Sequence, residues 1–275
     1  MDRPDGVAAH LFSLGWDTTD VDIVNVDIPG ETTAAHDLAS DSHWDQIHRD
    51  MKAGLYQGLG FGTPCETASR ARTGPPGPRP LRSVQYIYGL PSSQLTSAEL
   101  DQVRLGTFFA LKTAATALLA CQLLIPWFLE NPDPAGNPVS LFNLPEWLEL
   151  ASTPGVQCVD FHQCPMGAET AKPTRMLYFL MDLGSLAGRC NHPTRKWTYT
   201  DHKSAVRTKW GPHPPLANRL REDGSMATKS AAAYPSEMNR RIARAIAATA
   251  PPTLAASPRP IDQFIRAWTK SPSQS

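Results

Sequence analysis

Over its first 180 residues this chain alternates short apolar runs with longer segments of helical period, and that alternation constrains its fold more than any other feature. Residues 6–15 carry Val7, Leu11 and Leu14 at helical spacing and stop at Gly15. Val21–Ile28 alternates Val and Ile with polar residues and predicts a strand. Asp41–Met51 predicts a helix with Trp44 and Ile47 facing inward, and Leu55–Phe61 a strand that empties into a loop. Thr96 followed by Glu99 matches a capping box and opens the longest helix, Thr96–Leu124, which Pro126 ends. Trp127–Glu130 then predicts a buried strand, residues 144–152 a helix, and Gln157–Phe161 and Met176–Phe179 further strands. Strands separated by helices imply an α/β domain, a sheet covered by helices on both faces.

Beyond that point the texture changes. Residues 189–234 are rich in Pro, Lys, Arg, His and Ser, and 181–234 as a whole predicts an irregular segment. Residues 235–248, with Met238, Ile242 and Ile246 four apart, predict a closing helix. The last part, 249–275, is rich in Pro and Ser, with Ile261–Trp268 as a short amphipathic helix candidate. The chain holds 26 prolines in 275 residues, about twice the usual share, which implies many loops.

Charge narrows the functional classes. Lys and Arg total 26, Asp and Glu total 26, so the formal net charge is zero. A uniformly basic nucleic-acid binder and an acidic disordered chain are both excluded. A mean hydropathy of −0.31 and a longest apolar stretch, Ala114–Pro126, broken by Thr116 and Gln122 argue against a membrane protein. The first residues lack the basic-then-apolar layout of a signal peptide. Five cysteines in no regular framework point to a reducing, intracellular setting, nucleus or cytoplasm.

Three short motifs fall at predicted strand ends: Pro64-Cys65, Glu130-Asn131-Pro132 and Lys172-Pro173-Thr174-Arg175. In an open α/β sheet ligands bind beyond the carboxyl ends of the strands, so a thiol and a carboxylate distant in sequence can meet in one crevice. PCETASRAR followed by LENP resembles the S-adenosylmethionine-dependent DNA cytosine-5 methyltransferases, in the form found in phage and mobile-element members. The resemblance covers residues 1–180 and implies a Rossmann-like methyltransferase domain, with 181–234 in the place of a target-recognition region.

It also implies roles. Cys65 is the nucleophile that adds to carbon 6 of cytosine, and Glu130 the carboxyl that protonates the ring. Arg175 contacts the extruded nucleotide. Asn131, Ser69, Arg72 and Lys172 bind substrate. Gly6, Asp22, Asp37 and Pro64 line the cofactor, with Asp22, or Asp27 in its place, at the ribose and Asp37 at the adenine. The family's opening strand and Gly-rich loop are not found at the start of the chain, where only Asp5-Gly6 is left as a remnant. Glu66, where the family carries an uncharged polar residue, opposes a thiolate at Cys65. The rival expectation is a catalytically silent relative that binds nucleic acid.

Two further groups remain. Cys158, His162, Cys164, Cys190 and His192 lie close together in sequence, and Cys158, Cys164, Cys190 and His192 form a candidate zinc set, although none of the spacings is the usual C-x₂-C. Buried strand cysteines and loop histidines are the plainer explanation. Arg70, Arg72, Arg79, Arg82, Lys203, Arg207 and Lys209 are candidates for phosphate contacts, and Trp197, Tyr199 and Trp210 for base stacking.

Overall fold

The structure, a computed structural model, describes residues 6–22, 38–72, 77–216, 218–230, 233–249 and 263–268. In chain order the elements are α1 (Val7–Ser13), β1 (Asp17–Asp22), α2 (Asp41–Lys52), β2 (Tyr56–Gly62), α3 (Ser97–Gln122), β3 (Trp127–Pro132), α4 (Pro145–Ser152), β4 (Val156–His162), β5 (Pro173–Phe179), β6 (Arg195–Thr200), β7 (Val206–Gly211), α5 (Ala227–Ser230), α6 (Ser236–Ala247) and β8 (Gln263–Trp268).

Six strands form one mixed sheet in the order β1-β8-β2-β3-β5-β4. β1, β8, β2 and β3 run parallel, and β5 is antiparallel to both β3 and β4. The protein is therefore α/β. β3 reads WFLENP and is buried along nearly its whole length, the pattern of a strand covered on both faces. Side chains alternate between two cores. Trp127, Leu129, Leu177 and Phe179 pack with α2, α3 and α4. Phe128, Met176 and Tyr178 pack on the other face with Val7 and Leu11 of α1 and Met238, Ile242 and Ile246 of α6.

α3 begins at the expected capping box: the Glu99 amide donates to Thr96 Oγ1 and the Thr96 amide to Glu99 Oε2. By length and composition α3 is apolar enough to cross a membrane. Its buried side carries Phe109, Ala110, Ala114, Ala117 and Ala120, packed in the same core as α2 and α4, which is compatible with a non-membrane protein. Gly106 lets this helix approach the β2 loop, since a Cβ there would lie 2.9 Å from Thr67 Oγ1.

Three expectations change. The strand expected over Val21–Ile28 starts earlier, at Asp17; Val21 and Asp22 fall within β1, and 23–28 lie outside the described residues. Residues 195–211 of the supposedly irregular segment form a separate two-stranded sheet, β6-β7. Residues 263–268 are a strand, not a helix, and β8 enters the sheet between β1 and β2. Its Phe, Ile and Trp suit a sheet better than an isolated helix, and a run of six residues is too short for period alone to tell the two apart.

Candidate active site

The loop that follows β2 is fixed from four directions. Asn131 Nδ2 donates to the Thr63 carbonyl at 2.9 Å, and Asn137 Nδ2 to the Ala68 carbonyl at 2.8 Å. The Thr63 and Thr113 hydroxyls lie 3.0 Å apart, tying the end of β2 to α3. Arg82, almost fully buried, donates to Thr67 Oγ1 from two nitrogens at 3.1 and 2.9 Å, and also to the Ile87 carbonyl and Thr107 Oγ1. Arg72 closes the loop on itself through the Glu66 and Arg79 carbonyls. Ser69 accepts from the Ala71 amide, shaping the next turn. Pro64 and Cys65 ride on this frame, both half-buried.

Gly62 at the end of β2 is in register with Glu130 in β3. Cys65 and Glu130 therefore project from the carboxyl edges of adjacent parallel strands, and each is felt electrostatically by its surroundings there. Burial pushes the Cys65 thiol up to about 12; the charges of Glu130 and Glu66 add to this, and Lys172 opposes it. Burial likewise holds the Glu130 carboxyl above the ordinary carboxylate range, against the pull of Lys172 and a hydrogen bond from Tyr234. The Tyr234 hydroxyl donates to Glu130 Oε2 at 2.9 Å, and Lys172 Nζ lies 5.5 Å from the centre of the Tyr234 ring. Lys172 adopts φ 36° immediately before Pro173, where a residue ordinarily stays extended. Such strain persists where surrounding contacts hold it, often at working sites.

Cys65, Glu130, Lys172 and Asn131 thus come together at one edge. Arg175 does not join them. Along β3 and β5 its side chain falls on the opposite face from Glu130, over the Phe142 ring, with its guanidinium held by both Asp160 oxygens at 2.6 and 2.8 Å. Its sequence-based catalytic role is corrected accordingly: it joins β5 to β4. The same holds for Arg82 as a phosphate contact, because every donor named above is spent on the loop and on Thr107 of α3. Arg79 is paired with Glu99 and Arg207 with Asp201. Lys203 and Lys209 are exposed, as is Trp210.

Of the residues expected at the cofactor, Gly6 caps α1, which turns at Gly15 straight into β1; Gly6 therefore lies toward the carboxyl edge of the sheet. Asp22 is the last residue of β1, at the same edge. Asp37 lies outside the described residues. Of the zinc candidates, Cys164, Cys190 and His192 come together, and Cys158 does not: it sits on β4 with its sulfur 4.0 Å from Asp160 Oδ1.

Comparison with protein-family models, curated proteins and solved structures finds no match. The site is therefore read from its own chemistry. A thiol, a carboxyl that keeps its proton above the usual range, an ammonium and a phenol share one partly buried edge. That set suits addition of sulfur to an electron-poor ring with proton delivery to the same ring. Sequence reasoning missed Tyr234, Asn137 and the burial of Arg82. Tyr234 stands just before α6 and Asn137 in a Pro-Gly loop, where no periodicity marks a side chain as inward.

Proposed function

We propose that this chain methylates cytosine at carbon 5 in DNA, with S-adenosylmethionine as methyl donor, in an intracellular setting. The observation that carries the reading is the placement of Cys65 and Glu130 at the carboxyl edges of adjacent parallel strands, close enough for the carboxylate to raise the thiol's pKa. The pairing matches the Pro-Cys and Glu-Asn motifs of the cytosine-5 methyltransferases, and a Rossmann-like methyltransferase domain is the fold this reading implies. All five cysteines are unpaired, in keeping with a reducing compartment.

β8 supplies a second support. In a doubly wound sheet the first strand lies between the second and the fourth, and the ligand crevice opens where the strand order reverses. With β1 as second strand and β2 as fourth, β8 takes the first strand's place. On this reading residues 263–268 stand in for the strand sought at the beginning of the sequence. Gly6, before α1, and Asp22, at the end of β1, would then bind the cofactor there.

On this reading the target base is extruded from the duplex to reach the edge. Cys65, as thiolate, adds to carbon 6, and the Glu130 carboxyl gives its proton to N3, so that the electron pair gathers on carbon 5. Bound S-adenosylmethionine supplies the methyl group that carbon 5 takes. Loss of the carbon-5 proton to a base then expels Cys65 as thiolate, and N3 returns its proton to the Glu130 carboxylate, which restores the neutral ring. Tyr234 and Lys172 hold the Glu130 carboxylate once it has given up its proton. Lys203, Lys209 and Trp210 on the β6-β7 hairpin are the exposed candidates for backbone and base contacts.

The raised Cys65 pKa favours a second reading, a catalytically silent DNA-binding relative, because the resting thiol is a poor nucleophile. DNA carrying 5-fluorocytosine separates the two. Fluorine at carbon 5 blocks the final elimination, so the enzyme should be trapped covalently when S-adenosylmethionine is present. Cys65→Ser should abolish trapping and Glu130→Gln should slow it at least a hundredfold. A folded wild type that binds DNA and cofactor yet forms no adduct would leave the silent reading.

A further inference from the structure

Where the β4-β5 connection meets the base of the β6-β7 hairpin, four soft donors converge. One ligand atom each from Cys164, Cys190, His192 and His213 lies within 4.8 Å of all the others. Cys190 Sγ is 3.1 Å from His213 Nε2 and 3.5 Å from His192 Nδ1, and the two imidazole rings are 4.7 Å apart at their centres. In a tetrahedral site with Zn–S about 2.3 Å and Zn–N about 2.0–2.1 Å, neighbouring ligand atoms stand about 3.3–3.8 Å apart. The observed separations need only small movements to reach that range.

The surroundings are arranged as a metal site requires. His213 Nδ1 lies 3.0 Å from the Glu169 carbonyl; donating its proton there leaves the Nε2 lone pair facing the cluster. The Cys190 amide donates to His162 Nδ1 at 2.9 Å, fixing the backbone of one thiol ligand. Cys164 is buried in a short turn that ends at Gly167, whose φ of 101° a side-chain-bearing residue would resist. The ligands come from three separate segments, with Cys190 and His192 just before β6 and His213 just after β7.

We propose that Cys164, Cys190, His192 and His213 bind a structural zinc ion that clamps the base of the β6-β7 hairpin to the sheet domain. Two thiolates and two imidazoles with no fifth position make a closed set, suited to structure rather than to catalysis. Two sulfurs and two nitrogens in tetrahedral array select zinc over hard cations. The hairpin needs such a clamp. Its strands are largely exposed on both faces, and a lone two-stranded hairpin is marginal in water. His213 takes the place that sequence spacing gave to Cys158.

The test is metal analysis of the full chain purified without chelator. About one zinc per chain is expected. After removal of zinc, cobalt(II) should restore a tetrahedral visible spectrum with sulfur-to-cobalt charge-transfer bands. Cys190→Ser and His213→Ala should each lose zinc, His213→Cys should retain it, and Cys158→Ser should match the wild type. Zinc should also shield Cys164 and Cys190, but not Cys158, from alkylation until a chelator is added. A folded wild type with neither zinc nor a tetrahedral cobalt spectrum overturns the proposal. Full zinc content in Cys190→Ser and His213→Ala would overturn this ligand set.

Discussion

The Tyr234 hydroxyl donates to Glu130 Oε2 across 104 residues of chain, joining the loop before α6 to the carboxyl edge of β3. Glu130 is nearly buried, so this bond is one of few compensations for its charge. Tyr234→Phe removes the donor and should cost about 1.5–3 kcal/mol of stability, the range for hydrogen bonds to charged groups. It should also move the Glu130 carboxyl further above the ordinary range. Under the proposed chemistry the adduct rate would then peak at higher pH than in the wild type. Chemical denaturation and a trapping-rate profile against pH check the two parts.

The sign of the pH dependence at Glu130 follows from burial. Its folded pKa is raised, so the folded state keeps a proton that the unfolded chain has already released. The contribution to stability is complete below the ordinary carboxylate pKa and is lost as pH rises through the higher folded value. Glu130→Gln has no such proton to lose. The stability of Glu130→Gln relative to wild type should rise from pH 4 to pH 8, read from urea midpoints. Parallel profiles would mean that Glu130 is not held in a desolvated setting.

Cys65 makes a separate prediction that does not depend on activity. With its pKa pushed up to about 12, the thiolate fraction at pH 9 is on the order of 10⁻³, and iodoacetamide should label Cys65 hundreds of times more slowly than a free cysteine. The charge of Glu130 contributes to raising the thiol, so Glu130→Gln should speed labelling by about 3–10-fold. Lys172→Met should slow it. Peptide mass spectrometry against time gives the rates; a Cys65 that labels as fast as exposed Cys158 would sink the electrostatic picture.

Much of the sheet was legible because its signals are local. Trp127–Leu129 is continuously apolar, Thr96 and Glu99 mark a helix start, and Met238, Ile242 and Ile246 share one helix face. The meeting of Cys65 with Glu130 was legible because parallel neighbours bring their carboxyl ends to one edge. What escaped depended on partners distant in sequence. Arg175 reads as a free cation until β4 sets Asp160 beside it, and its face depends on strand parity that the KPTR motif does not reveal. His213 was missed because its ligand partners stand on the other side of a hairpin.

Arg82 tests the loop that carries Cys65. Arg82→Ala would leave Thr67 Oγ1, Thr107 Oγ1 and the Ile87 carbonyl without their buried donor. Unsatisfied buried groups cost about 1–3 kcal/mol each, and relaxation recovers part of that, so a net loss of about 3 kcal/mol is expected. For a chain of this size that corresponds to a fall in Tm of roughly 6–12 °C. Arg82→Lys should recover little, because one ammonium cannot reproduce the fork of guanidinium donors. A thermal shift within about 1 °C of wild type would show that the loop does not depend on Arg82.

β8 gives the most demanding test of the architecture. It is hydrogen-bonded on both sides, with Thr19 opposite Ile265 on β1 and Leu59 opposite the same residue on β2. No other strand among the described residues links β1 to the rest of the sheet. A chain ending at residue 262 would expose the backbone groups of β1 along one edge and those of β2 along another, and unpaired strand edges invite association. α1 would keep its packing against α6, because Val7 and Leu11 meet Met238, Ile242 and Ile246 without β8. Hydrogen exchange should therefore show lost protection at the β8-facing amides of Thr18–Val21 and at Gly58 and Gly60, while Leu59 keeps its bond to the Pro126 carbonyl and α6 stays protected as before. The Tm should fall by more than about 6 °C, since the loss exceeds about 3 kcal/mol. Had residues 261–268 formed the surface helix that their sequence also allows, removing them would change stability by only about 0.5 kcal/mol and leave β1 and β2 protected. That outcome would remove β8 from the sheet, and with it the strand on which the proposed cofactor crevice rests.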